Sequence, residues 1–393
     1  MKLAARVERI KPSPTLAVAA RANQLKAAGH NIINLGVGEP DFDTPGFIKE
    51  AAIRAIQDGF TKYTAVDGTP ALKKAIINKF KEENHLTYEA AQILVSCGTK
   101  QSIYNLMQAF LNPGDEVIIP APYWVSYPDM VLLAEATPVI ISTNLEQHFK
   151  ILPEQLEAAI TPRTRLLILN SPSNPSGIAY SKAELQKIGE VLLKHPSILI
   201  ASDDIYEHIL WTNEPFHNIV NACPELYDRT IVFNGVSKAY AMTGWRIGYA
   251  AGPKNIITAM TNIQSQSTSN PTSISQVAAQ AALEGQQNCV REMAVAYKER
   301  HEYIYHQLSA IPGIACHPSD GTFYTFPDVK GVIDGLAGVE NDIEFSEYLL
   351  KEAGIAVVPG TAFGCAGCIR LSYATSMDTL KDAVSRLQKL LKN

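Results

Sequence analysis

Three features of the sequence predict an α/β fold in which a large unit carries a mostly parallel seven-stranded sheet and a smaller α+β unit packs beside it. The chain has 393 residues, more than one ordinary compact domain holds. From about residue 46 to 285, strand-like apolar runs alternate with helical patterns. Runs such as LLILN and ILIAS are apolar without alternation, as expected of strands covered on both faces.

In chain order the expected strands of the large unit are Ile93 to Ser96, Glu116 to Pro120, Thr137 to Ile141, Leu166 to Asn170, Ile198 to Ser202, Thr230 to Asn234 and Ile247 to Ala251. Helical patterns fall between them at Thr69 to Asn84, Lys182 to Lys194 and Ser273 to Leu283. The last hundred residues change character. A charged helix around Val290 to Ile311 leads to short strands near Phe323 to Pro327, Ile355 to Val358 and Cys368 to Tyr373. Helices around Glu344 to Ala353 and Asp378 to Leu391 complete this unit. The first 45 residues hold a helix and an extended stretch but no full core, so they are expected to pack with it. The expected division is 46–285 for the large unit, and 1–45 with 286–393 for the small one.

Composition narrows the partners. Hydrophobic residues make up 46% and charged residues 19%, the balance of a globular protein. The net charge of -5 leaves no polybasic surface for nucleic acid or anionic lipid, so small molecules are the expected partners. No uncharged run reaches membrane-span length; Val131 to Ser142, for example, is broken by Glu135 and Pro138. The start, MKLAARVERIKPSP, lacks a signal peptide's apolar region, and a cytoplasmic location is expected. The six cysteines have no disulfide-framework spacing. Cys365-Ala-Gly-Cys368 could be half a metal knuckle or a redox pair, but no second pair completes four ligands and a turn fits better.

Several motifs carry chemistry. Gly36-Val-Gly38-Glu-Pro-Asp41 begins like a dinucleotide fingerprint, yet Pro40 and the missing third glycine are wrong for the helix that should follow; it remains a backbone open to close approach. Ser96-Cys97-Gly98-Thr99-Lys100 joins a strand to a helix, and such a turn aims free N–H groups and the helix dipole at an anion. Ser237 and Arg246 add the hydroxyl and the two-pronged cation that a phosphate would want. Lys238 follows the strand TIVFN, at the sheet edge where open α/β folds bind ligands. Crowded by Ser, Tyr and Trp, its amine loses a proton more easily than a solvated lysine and can attack a carbonyl. In Ser202-Asp203-Asp204-Ile205-Tyr206 an acid at a strand end needs a cation such as a protonated ring nitrogen, or else caps a helix. The loop Asn170-Ser-Pro-Ser-Asn174-Pro-Ser-Gly177 also follows a strand.

Taken together, LGVGEPDFDTP, KYTAVDG, PYWVSYP, NSPSNPSG, SDDIYEH, SKAYAMTGWRIGY and IRLSYA resemble the class I aminotransferases of the aspartate aminotransferase fold, a family dependent on pyridoxal 5'-phosphate, over essentially the whole chain. The resemblance implies that Lys238 is the Schiff-base lysine that also moves the substrate's proton, and that Asp203 pairs with the pyridinium nitrogen. It implies that Tyr206 and Asn174 bond the phenolic oxygen and that Trp124 stacks on the ring. The phosphate would lie against Gly98, Thr99, Lys100, Ser237 and Arg246, with Tyr63 reaching it from a second subunit, so that a homodimer shares its active sites. Arg370 would grip the substrate α-carboxylate, aided by Asn174 and Gly38, with Trp124 beside the substrate.

The start Lys11-Pro-Ser-Pro-Thr15 resembles bacterial members that act on aspartate, some of which also accept prephenate. No counterpart of the distal arginine used by animal-type members is evident in SQSTSNPTS, and Lys11 is the candidate reader of a second carboxylate. The expected activity is amino transfer from L-aspartate to 2-oxoglutarate. Prephenate, aromatic or alanine transamination are the rivals, followed by a non-catalytic binding module within a regulator, which would need a helix-turn-helix region for which no residues remain.

Overall fold

In the computed structural model, which describes residues 3–391, seven strands form one sheet through the middle of the large unit. Residues 1, 2, 392 and 393 of the expected small unit lie outside the described residues. After a short strand β1 (Ile33–Asn34), the sheet strands are β2 (Ile93–Ser96), β3 (Glu116–Ala121), β4 (Thr137–Ser142), β5 (Thr164–Asn170), β6 (Leu199–Asp203), β7 (Thr230–Gly235) and β8 (Gly248–Ala251). Their order is β2-β8-β7-β6-β5-β3-β4. Only β8 runs against its neighbours β2 and β7.

The continuous apolar strands behave as their sequences require. Along β5, Leu166 and Ile168 face one core, with Val117, Ile231 and Phe233, while Leu167 and Leu169 face the other, with Ile200 and Val232. Every residue of β6 and β7 is buried. Edge strand β4 differs: Thr137, Ile140 and Ser142 are exposed and Pro138 occupies it, as a strand that need not pair on its outer side allows. Helices start where capping residues direct. Thr69 accepts the Leu72 N–H ahead of Pro70, and Ser181 with Glu184 closes a capping box on the helix Lys182–Leu193.

The smaller sheets join distant parts of the chain. β9 (Tyr324–Thr325), β11 (Val358–Pro359) and β12 (Ile369–Ser372) form an antiparallel sheet in the order β11-β12-β9. β10 (Ile355–Ala356) pairs in parallel with β1, tying the amino-terminal segment to the carboxyl-terminal one. The single strand expected over Ile355 to Val358 is therefore two, because the chain leaves one sheet and enters the other at Val357. The expected strand at Phe323 to Pro327 shortens to two residues, and the helix expected at Glu344 to Ala353 becomes Asp342–Tyr348 followed by one wider helical turn, Leu349–Ala353.

One buried polar network fixes the turn that follows β6. Lys79, on the helix Pro70–Glu83, forms an ion pair with Glu207, which also accepts from Asn84 Nδ2 at 2.6 Å and from Asn234 Nδ2 at 2.7 Å. A buried carboxylate is tolerable only when it is so completely paired. Lys79→Met leaves that carboxylate without its cation and is expected to cost about 3–5 kcal/mol. The measurement is the urea midpoint, and a variant as stable as the parent would show that the ion pair does not secure this turn.

Candidate active site

β5, β6 and β7 lie side by side in parallel register, with Asn170 opposite Asp203 and Asp203 opposite Phe233. Their carboxyl ends deliver Asn170, Asp203 and, just past β7, Ser237 and Lys238 to one rim. A cavity of about 640 Å³ opens there. Gly36 to Glu39, Thr99, Lys100, Trp124, Asn174, Tyr206, Arg246, Tyr324 and Arg370 also line it, with Thr15 and Leu16 from the amino-terminal helix Pro14–Ala27. Position at the carboxyl edge of a parallel sheet is where such folds bind ligands.

Four cations line this cavity: Lys100, Lys238, Arg246 and Arg370. None has an ion-pair partner among the described residues, and the lining acids are Asp203 and Glu39. Arg370 is 2% exposed. Its Nη1 donates to Asn174 Oδ1 at 3.0 Å, its Nη2 to the Gly36 carbonyl at 2.7 Å, and its Nε has no partner. Tyr324 and Phe363 rings flank the guanidinium at 4.4 and 5.1 Å. A buried guanidinium served only by neutral acceptors and rings, with N–H groups to spare, is built to receive a carboxylate.

Lys238 Nζ donates to the Gly38 carbonyl at 2.6 Å and lies 5.8 Å from the ring centres of Tyr206 and Phe323. Removal from water, then the charge of Arg370, pushes its pKa down to about 8, so a useful fraction of the amine is neutral near physiological pH. The glycine-rich stretch after β1 thus meets two of the chain's own cations through its carbonyls. Asp203 accepts from Tyr127 Oη at 2.5 Å. Burial raises its carboxyl to about 6, while Tyr127 foremost and Lys238 hold it down. Asp204 turns the other way, accepting from Ser202 at 2.6 Å and from Asn218 at 3.0 Å, so neither acid caps a helix.

Gly98, the turn where an anion site is expected, lies directly beneath the Arg246 guanidinium. The helix Thr99–Phe110 starts at the cavity, and its first N–H groups have no carbonyl one turn earlier to bond. Gly98 has φ +86, and a Cβ there would lie 2.4 Å from an Arg246 nitrogen, so glycine alone lets the guanidinium close over the turn. Arg246 is held by the Thr243 carbonyl at 2.9 Å and the Cys97 carbonyl at 3.3 Å. Free helix N–H groups, a buried serine and a fork-shaped cation make a donor set that fits a phosphate; an amine, a buried carboxylate and an aromatic wall beside it fit an aldehyde-bearing ring with a basic nitrogen.

Two expected site residues lie apart from this cavity in the single chain. Tyr63 is 92% exposed, between the helices Gly46–Gln57 and Pro70–Glu83. Lys11 is exposed, with its backbone N–H on Asp129, and is absent from the lining. Three lining residues were not among the expected site residues. Tyr127 is an ordinary aromatic in PYWVSYP, and Tyr324, bonded to Tyr206 Oη at 3.0 Å, comes from a two-residue strand. Asn170 was visible in its loop, but not as the brace that donates to the Asp203 carbonyl at 2.8 Å and accepts the Asn174 N–H at 2.9 Å.

The chain belongs to the aminotransferase class I and II family, whose pattern matches residues 30–387. Members of that family are enzymes that depend on pyridoxal phosphate. The chain is 62% identical to the aspartate/prephenate aminotransferase of Nitrosomonas europaea, with all of both chains covered. It is 54% identical to that of Cereibacter sphaeroides over 97% of this chain and 96% of the relative. Among solved structures, the aspartate aminotransferase of Rhizobium meliloti superposes with a TM-score of 0.96 at 49% identity, covering 100% of this chain and 99% of that one.

Tyr127 favours the ionised form of Asp203, so Tyr127→Phe raises the carboxyl above about 6. A hydrogen bond to a charged group is worth about 1.5–3 kcal/mol, or roughly one to two pH units. The acid limb of the kcat/KM profile is therefore expected to move to higher pH by about that much. An unmoved limb would mean that Tyr127 does not hold Asp203.

Proposed function

We propose that this enzyme moves the amino group of L-aspartate to 2-oxoglutarate, giving oxaloacetate and L-glutamate in two half-reactions, with pyridoxal phosphate bound in the cavity described above. The observation that carries the reading is the set of four cations without ion-pair partners around one cavity, each matched to a different anionic or electrophilic group. Arg246 and the Gly98–Lys100 turn would take the phosphate with Ser237, Lys238 would take the aldehyde carbon, Arg370 would take the α-carboxylate, and Lys100 would remain for a second carboxylate.

Bound pyridoxal phosphate supplies the electron sink that makes the substrate Cα proton acidic. Asp203 would hold its protonated ring nitrogen, Tyr206 and Asn174 would bond its phenolic oxygen, and Trp124 would wall one face. Arg370 uses its free Nε–H and remaining N–H groups to fix the α-carboxylate, which turns the Cα–H bond toward Lys238. Lys238 Nζ, neutral above about pH 8 and partly so below it, takes the Cα proton and later gives it back.

Lys100 supports a dicarboxylate substrate. Its Nζ sits 4.8 Å over the Trp124 ring at the cavity wall, and its pKa is lowered by burial and then by Arg246, as for an ammonium awaiting an anion. The relatives named for aspartate agree with this, as does a Thermus thermophilus aspartate aminotransferase solved with maleate, 42% identical to this chain over the whole of both with a TM-score of 0.93. Prephenate, also in the relatives' names, bears two carboxylates and meets the same requirement. Lys11 remains the alternative reader, brought in if the amino-terminal segment closes.

A homodimer completes the reading. Ile53, Ile56 and Phe60 are exposed on the surface leading to Tyr63, an apolar run that a second copy would cover while Tyr63 reaches its phosphate.

Lys238→Ala is expected to lower kcat by about 10²–10⁴-fold or more. Retained turnover would remove the lysine from the chemistry. Lys100→Met is expected to lower kcat/KM for aspartate and 2-oxoglutarate about 10- to 100-fold, from the lost charged hydrogen bond, while alanine and phenylalanine change little. Lys11→Met is the companion measurement; if it shows the dicarboxylate-selective loss and Lys100→Met does not, the second carboxylate is read by the amino-terminal segment.

A further inference from the structure

Cys365 and Cys368 close the loop that leads from β11 into β12 and so to Arg370. Their sulfurs are 3.7 Å apart. Cys365 is half-buried and Cys368 is 2% exposed. The ends of the loop are fixed by backbone bonds: the Gly360 N–H donates to the Cys368 carbonyl at 2.7 Å, and the Cys365 N–H to the Gly360 carbonyl at 3.0 Å. Lys330 packs over the loop so closely that a Cβ on Gly367 would lie 2.3 Å from its Cε.

Cys365 differs from the other thiols of the chain. Cys97, Cys223, Cys289 and Cys316 are all pushed up, burial being the main cause. Cys365 is held below the usual thiol range by the hydrogen bond from Cys368 foremost, against burial, with the Lys330 charge assisting. Cys368 is pushed up by the same hydrogen bond and by burial. A partly accessible thiolate with a second thiol in reach is the arrangement that oxidises reversibly rather than onward to the sulfonic acid.

We propose that Cys365 and Cys368 are a peroxide-reactive pair that closes to a disulfide within the loop and thereby alters the carboxylate clamp at Arg370. The Cys365 thiolate attacks one oxygen of hydrogen peroxide, the O–O bond breaks, and hydroxide leaves and is protonated by solvent. The Cys368 sulfur then attacks the resulting sulfenic sulfur, the S–S bond forms, the S–O bond breaks, and the Cys368 proton leaves with the hydroxyl as water. Two thiols lose two electrons and one peroxide becomes two waters. Thiol–disulfide exchange with a reduced dithiol reverses the change.

The S–S bond requires the sulfurs to approach by roughly 1.7 Å. That movement shortens the loop that wedges Phe363, fully buried, against the Arg370 guanidinium at 5.1 Å. Cys368 also immediately precedes β12, two residues before Arg370. The consequence for substrate rests on the reading of Arg370 as the α-carboxylate clamp. It should appear as a several-fold rise in KM for aspartate with kcat changed less.

The test treats reduced holoenzyme with graded hydrogen peroxide and maps the cysteine peptides by mass, alongside KM and kcat for aspartate. The expected result is loss of two hydrogens from the peptide holding Cys365 and Cys368 before any other thiol reacts, restored by dithiothreitol. Cys365→Ser, outside the binding machinery, keeps the reduced activity and forms no disulfide, and Cys368→Ala accumulates oxygen adducts at Cys365. Earlier oxidation at Cys97 or Cys289, or oxygen added to Cys365 without a disulfide in the unaltered chain, overturns the proposal. A disulfide that forms with KM unchanged overturns the link to Arg370. Failure of aspartate as substrate would fall on the functional reading, because the mass measurement does not depend on it.

Discussion

The Arg370 guanidinium is buried, charged and without a carboxylate partner among the described residues, and the site is arranged around that constraint. Leaving such a charge inside a protein is costly unless its donors find partners, and here two acceptors and two ring faces come from three separate parts of the chain. Gly36 belongs to the amino-terminal segment, Asn174 to the loop after β5, and Tyr324 and Phe363 to the small antiparallel sheet and its turn. Holding one cation therefore draws these parts together over the edge of the large sheet. The cost left over is a standing affinity for an anion.

The same economy governs the rest of the cavity. Asp203 sits where burial alone would neutralise it, and Tyr127 keeps its ionised form within reach at neutral pH. Lys238 sits where burial and Arg370 loosen its hold on a proton, and the Gly38 carbonyl holds the amine in place. An acid kept charged and a base that gives up its proton near neutral pH, within one cavity, is the pairing that proton transfer at carbon requires. Asn170 links the two halves, because its amide fixes both the Asp203 backbone and the Asn174 loop.

Much of this was legible in the sequence. The continuous apolar runs gave all seven strands of the large sheet to within a residue or two, because a strand covered on both faces has no polar side to blur its pattern. The polar residues at the ends of those strands, Asp203, Lys238 and the Gly98 turn, were legible because a charge beside an apolar run needs a reason. Short strands β9, β10 and β11 were blurred. They are set by pairing with other segments, Ile355 with Ile33, Val358 with Arg370 and Thr325 with Leu371, and two residues carry no period.

What the sequence by itself determined is the architecture and the chemical identity of the groups at the sheet edge, since local pattern fixes which segments are strands and the strands' polar termini follow them. What only the tertiary structure decided is which groups meet. Tyr127 on Asp203, Tyr324 beside Arg370, Lys100 over Trp124 and Cys365 against Cys368 are contacts among side chains whose neighbours are chosen by packing. In a single chain, packing also sets Lys11 and Tyr63 at the surface while Lys100 faces the cavity. Spacing along a chain constrains direction, but distance in a folded core depends on every element between, and that information exists only once the core has closed.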